Sequence, residues 1–203
     1  MRAGTKGKAV CLDGVDGCGK TSHAISLTAY LRGRGLVAVY LKPLYLYSKG
    51  KEEGGGRSLL PKLRGSLTRR APKLIKFLLT ALVVAYSLVV YYLIIARYKR
   101  RGYWVICDRY FYYWLILLWG PSAVNYLRLI PKPDKYIVLD VPISENYLRR
   151  RIHQTFDRGL SPRYLRRLRA SYLAVAKALS SPIIDSRAGF EEVDSRLRRE
   201  VGL

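Results

Sequence analysis

Apolar and polar positions alternate along this chain in two rhythms. Continuous apolar runs stand at "KAVCLD" (8–13), "LVAVYLK" (36–42), "YWVICD" (103–108) and "KYIVLDV" (135–141), with a shorter "PIID" at 182–185. Glycine, proline or charge bounds them, which predicts five β-strands. Between them the spacing turns helical. "GKTSHAISLTAYLRGRG" (19–35) reads as a helix ending at Gly33 or Gly35, and further helical patterns cover 71–101, 122–130, 144–154, 162–180 and 189–200. Strands that alternate with helices predict parallel pairing through right-handed crossovers. Strands apolar on both sides predict a sheet covered on both faces.

Two stretches depart from this rhythm. Residues 77–96, "FLLTALVVAYSLVVYYLIIA", carry no charge over 20 positions between Lys76 and Arg97. That is long enough to cross a bilayer. Residues 47–70, "YSKGKEEGGGRSLLPKLRGSLTRR", are rich in glycine and basic side chains and read as a mobile loop with one short helix.

Length sharpens the picture: 203 residues predict one domain, 1–203, with a small lid. Lys and Arg number 37 against 14 Asp and Glu, a formal net charge of +23. Such a field attracts polyanions, whether nucleotides, nucleic acid or an anionic membrane face, although most of these residues also fit a solvated basic surface. Cys11, Cys18 and Cys107 show no metal or disulfide spacing, which predicts reduced thiols and a cytoplasmic protein. The N-terminal residues have no apolar run of signal-peptide length. Only Asn125, Asn146 and Gln154 carry heat-labile amides, which fits a thermophilic source.

The chemistry begins at "GVDGCGKT" (14–21), a G-x-x-x-x-G-K-[ST] loop with a strand before it and a helix after it. Gly14, Gly17 and Gly19 let the backbone curl, so that amides from Gly14, Val15, Asp16, Gly17, Cys18 and Gly19 face a phosphate. Lys20 reaches the outer phosphates of ATP and the Thr21 hydroxyl ligates Mg²⁺. A chance glycine turn does not explain the flanking elements.

This loop, then "RGYWVICDRY", "VLDVP", "YLRRLRASYLAVAKAL" and "IIDSRAGFEEV", come in the order and approximate spacing of the thymidylate kinases, which this chain resembles. The resemblance implies a P-loop three-layer α/β sandwich with a five-stranded parallel sheet and a small lid. It implies phosphoryl transfer from ATP, with Mg²⁺, to a nucleoside monophosphate, dTMP giving dTDP. Asp108 then binds Mg²⁺ through water or orients Arg109, and Arg109 bridges the donor and acceptor phosphates. Tyr110 completes the motif on the acceptor side, and Asp16 holds the 3′-hydroxyl of a deoxynucleotide. The segment 149–163, "RRRIHQTFDRGLSPR", looks like the family's lid, with Arg158, then Arg151, then Arg163 as candidates for stabilising transition-state charge. His23 and His153 have no partner that suggests nucleophilic chemistry.

Some residues depart from the family. The related deoxynucleoside kinases place a Glu after the second strand; here "YLKPLYLY" supplies Lys42 instead. An acceptor that is already a phosphate needs no base, and Lys42 can attract it. The helix before the third strand has Tyr86 and Ser87 where the family keeps an arginine. "FYYWLILLWG" (111–120) replaces the serine and Tyr-Gln pair that read the base. The alternative is therefore a same-fold phosphotransferase with a more apolar acceptor at a membrane surface. A non-enzymatic P-loop protein that binds polyanions is a third class.

For 77–96 three readings follow. The stretch is a buried helix that also forms a homodimer seam. Or it joins residues 111–119 in an apolar pocket or membrane-docking patch flanked by basic residues. Or it spans a membrane, which would part the P-loop from Asp108 and Arg109 although both belong to one sheet.

Overall fold

The computed structural model describes residues 7–45, 71–145 and 161–203. The loop expected at 47–70 lies outside them, as do Arg151, His153 and Arg158 of the lid and most of the helix expected at 144–154.

Five strands form one parallel sheet in the order β2-β3-β1-β4-β5: β1 Ala9–Asp13, β2 Ala38–Leu41, β3 Trp104–Asp108, β4 Lys135–Asp140 and β5 Ile183–Asp185. Every residue of β1 and β3 is buried. This is the reason these strands read as unbroken apolar runs: helices flank the sheet and neither face meets water. The register pairs Leu12 with Asp108 and Asp13 with Val138. The C-terminal ends of the three central strands therefore lie side by side, where open parallel sheets bind their ligands.

The helices are α1 Lys20–Gly33, α2 Lys73–Arg100, α3 Tyr112–Trp119, α4 Pro162–Ala178 and α5 Phe190–Val201; all but α3 lie within two residues of the helical patterns in the sequence, and α3 forms where no helix was expected. Ser161 caps α4, its hydroxyl oxygen accepting from Tyr164 N at 3.3 Å, with Pro162 at the first helical position. Helix α5 opens on Glu191 and Glu192 and closes on Arg198 and Arg199, matching the helix dipole at both ends. The helical pattern at 122–130 is instead a 3₁₀ run, Gly120–Leu129. Gly120 takes φ 62° and Pro121 lacks an amide, so α3 cannot continue through them.

Helix α2 turns its apolar face outward. It is α-helical to Val90, passes through a π-helical turn at Tyr91–Ile95 and ends at Arg100. Its buried stripe holds Thr80, Ser87, Val90 and Ile95. Thr80 accepts a hydrogen bond from Trp119 Nε1 at 2.9 Å, and the Tyr86 hydroxyl donates to Pro43 O at 2.7 Å. Small and polar groups let this side lie close to its neighbours. Leu74, Leu78, Leu82 and Leu93 are 59–70% exposed, and the chain buries 22% of its most apolar window. Burial within one chain, as expected for a core helix, therefore does not account for this stretch. A membrane crossing is excluded by the sheet: α2 joins β2 to β3, and these strands are hydrogen-bonded neighbours, with Leu41 opposite Cys107.

Candidate active site

The loop between β1 and α1 curls because Gly14, Gly17 and Gly19 take φ values of 139°, 89° and 87°. Lys20, the first residue of α1, is 5% exposed and turns back over the loop, its Nζ donating to Val15 O at 2.7 Å. The same Nζ is 4.0 Å from Asp16 Oδ1. An ammonium buried this deeply beside a helix N-terminus is suited to an anion of high charge. The Cys18 side chain is fully buried beneath the loop, its Sγ 3.7 Å from Lys20 Nζ.

Asp108 ends β3 and gathers donors on one oxygen. Its Oδ2 accepts from Thr21 Oγ1 at 2.6 Å and from Tyr40 OH at 2.8 Å, with Lys42 Nζ at 3.5 Å. The carboxylate is buried while Thr21 and Lys42 are exposed, so the cluster opens outward. Burial, and then the Asp108 charge, push the Tyr40 phenol well above its ordinary value, which keeps it a donor. Thr21 and Asp108 together supply two hard oxygens. Among the described residues no cluster of three His, Cys, Asp or Glu side chains that could hold a metal ion is present. Mg²⁺ commonly takes one or two protein oxygens and completes its shell with phosphate and water.

Arg109 follows at once, with φ 71° and its amide donating to Leu12 O at 2.9 Å. A left-handed backbone at a large residue is uncommon, and such strain gathers at functional sites. The guanidinium is 7% exposed. Its Nη2 is ion-paired with Asp16 Oδ1, its Nη1 donates to Tyr172 OH at 3.1 Å, and it lies 4.7 Å from the Tyr113 ring centroid. Lys20 and Arg109 thus meet at one carboxylate oxygen, 89 positions apart in the chain.

Below them Asp13 is fully buried at the end of β1. It accepts from Gly14 N at 3.2 Å, Tyr136 OH at 3.2 Å and Tyr110 N at 3.3 Å. Burial pushes its carboxyl upward, against the pull of Arg109 and Lys20. The acid ties the phosphate loop to the turn that presents Arg109.

Tyr110 departs from expectation. Its ring is fully buried and its hydroxyl donates to Pro131 O at 2.5 Å, so the side chain serves the core and does not face an acceptor. His23 stacks on Phe190 at 4.5 Å and lies 3.3 Å from Asp194, a packing role. Arg163 lines a cavity at the head of α4 with Ser161, Tyr164 and Arg167. Asp13, Tyr40 and Tyr172 were not marked by sequence. Only Asp13 left a trace, as an acid closing a wholly apolar strand before the glycine loop.

Thymidylate kinase from Bordetella petrii is 29% identical over 210 aligned positions, covering 97% of this chain and 95% of that protein. Probable thymidylate kinases from Methanothermobacter thermautotrophicus and Staphylothermus marinus are 27% and 29% identical, over 94% and 90% of this chain and 92% and 88% of theirs. A family model described as thymidylate kinase matches residues 12–197, from the end of β1 into α5. The match takes in the phosphate loop and the Asp108-Arg109 turn in one frame, and on that ground the chain belongs to the thymidylate kinase family, as a nucleoside monophosphate kinase.

Proposed function

We propose that this chain transfers the terminal phosphoryl group of ATP to dTMP, giving dTDP and ADP. The observation that carries the reading is the meeting of Lys20 and Arg109 at Asp16, above the ends of β1 and β3. Phosphoryl transfer asks for positioning and charge neutralisation rather than covalent help from the protein. The loop amides and Lys20 take the donor phosphates, Lys20 exchanging the Val15 carbonyl for phosphate oxygen. Arg109 exchanges Asp16 for the travelling phosphoryl group and bridges it to the acceptor. Asp16 is then left to hold a deoxyribose hydroxyl. The acceptor phosphate is ionised at neutral pH and attacks without a base, while Lys42 draws it to the Asp108 side. Thr21 and Asp108 are the residues suited to hold Mg²⁺, which supplies neutralisation of the donor phosphates. Arg151, Arg158 and Arg163 are the lid candidates for further charge.

The more apolar acceptor gains no support, since the relatives named above all carry thymidylate kinase names. The outward face of α2 is instead the surface for a second copy of the chain, in a homodimer. On this reading the protein is cytoplasmic. ADP release should be followed with Mg·ATP over dTMP, dUMP, dCMP, AMP, GMP and UMP. dTMP should give the highest kcat/KM. If no mononucleotide stimulates ADP release, the reading falls.

A further inference from the structure

Arg109 is held at three points, and substrate can displace only one of them. Asp16 is an anion on a loop, with its side chain 33% exposed. An arriving phosphoryl group competes with it directly for Nη2. The other two holds are neutral and buried: Tyr172 OH at 3.1 Å from Nη1 and the Tyr113 ring at 4.7 Å. A guanidinium is a rigid plane, so fixing one nitrogen and one face fixes where the remaining N–H groups point.

We propose that Tyr172 is a positioning residue for phosphoryl transfer, its hydroxyl aiming the Arg109 fork once Asp16 has let go. Tyr172 is 1% exposed and projects from α4, the helix that Ser161 caps and Leu165, Leu168 and Val175 anchor in the core. Its ring is therefore placed by packing, independent of substrate. Burial pushes the Tyr172 phenol well upward, so the oxygen that accepts from Arg109 is uncharged. That chemistry is apt. A carboxylate here would neutralise the guanidinium, whereas a phenol fixes its direction and leaves its charge for the phosphate. The need is real because the Arg109 backbone cannot adjust: φ is 71° and its amide is committed to Leu12 O. Aim must come from the side chain's neighbours.

The inference rests on Arg109 acting on the travelling group, and the test separates the two. Tyr172→Phe keeps the ring and deletes the hydroxyl. Its kcat with dTMP should fall about tenfold, since small misplacements of a catalytic group are costly, while KM for ATP moves by less than about twofold. In an Arg109→Lys background, which has no fork to aim, the same change should cost less than about twofold. A merely structural hydroxyl would cost the same in both backgrounds. A loss below about fivefold in the parent, or an equal loss beside Arg109→Lys, overturns the proposal. Arginine side-chain NMR gives a readout independent of turnover, recorded with an unreactive ATP analogue bound. The Arg109 guanidinium should rotate slowly in the parent and faster in Tyr172→Phe. Should the parent turn over no dTMP, the acceptor reading fails while this spectrum still decides: unchanged rotation overturns the positioning role.

Discussion

The hydroxyl of Thr21 donates to Asp108 Oδ2 at 2.6 Å across 87 positions of sequence. The parallel register of β1 on β3 makes this contact, by setting Leu12 against Asp108 and bringing the head of α1 over the end of β3. Asp108→Asn keeps the volume and an acceptor but removes the charge. Lys42, 3.5 Å away, loses its counter-ion. The concentration of Mg²⁺ needed for half-maximal turnover should rise about 10–100-fold. Thermal unfolding should stay close to the parent's. An unchanged Mg²⁺ requirement would remove Asp108 from the metal site.

Gly14 and Gly33 should respond to alanine in opposite directions. A Cβ on Gly14 would stand 2.3 Å from Leu139 O, a backbone atom that cannot move aside, at a φ of 139°. The backbone strain alone costs about 1–3 kcal/mol, and the overlap adds to it. Gly14→Ala should melt lower and lose ATP binding in calorimetry. Gly33 closes α1 with nothing within 4 Å of its added Cβ. Gly33→Ala should stabilise by about 0.4–1 kcal/mol, chiefly by restricting the unfolded chain. A destabilised Gly33→Ala, or a Gly14→Ala that binds ATP normally, would contradict the loop geometry.

The strands were legible because a doubly covered parallel sheet writes itself as unbroken apolar runs, and "KAVCLD" and "YWVICD" sit within a residue of β1 and β3. The phosphate loop was legible because its function needs glycines at fixed offsets. Contacts that close over long separations leave no such mark. Tyr40 reaches Asp108 across 68 positions and Arg109 reaches Tyr172 across 63, and no local pattern at either tyrosine announces it. Motif position misled at Tyr110, whose neighbours Asp108 and Arg109 face the site while its own ring enters the core. In α2 the length of the apolar stretch was plain. Which side faced inward was not, because the inward stripe is carried by Thr80 and Ser87 rather than by leucine.

That outward face gives the next prediction. Leu82 is 66% exposed in the middle of α2, beside Leu78 at 59%. If a second copy covers them, Leu82→Glu buries an unpaired charge at the seam and splits the pair. Light scattering should give the mass of two chains for the parent and of one chain for the variant, with the circular dichroism spectrum unchanged. A parent that is already monomeric at micromolar concentration would refute the dimer.

Asp185, at the end of β5, offers a test of local electrostatics away from the phosphates. The Arg187 side chain donates to it from Nη2 at 2.6 Å and from Nε at 2.9 Å, and the Arg187 amide adds a third bond at 2.9 Å. The guanidinium bonds, then the amide, hold the carboxyl at about 2. The sign follows from linkage. A lowered folded-state value favours the charged form, so its contribution to stability is present above the ordinary carboxylate value and is lost as pH falls through about 2. Both side chains are largely exposed, at 60% and 42%, so water and salt screen the pair and the effect on melting is small. The titration itself is the sharper readout. By carboxyl NMR the Asp185 midpoint should return to about 3.9 in Arg187→Ala, the value of an unperturbed aspartate. A midpoint that stays low after Arg187 is removed would assign the shift to another group at this end of the sheet.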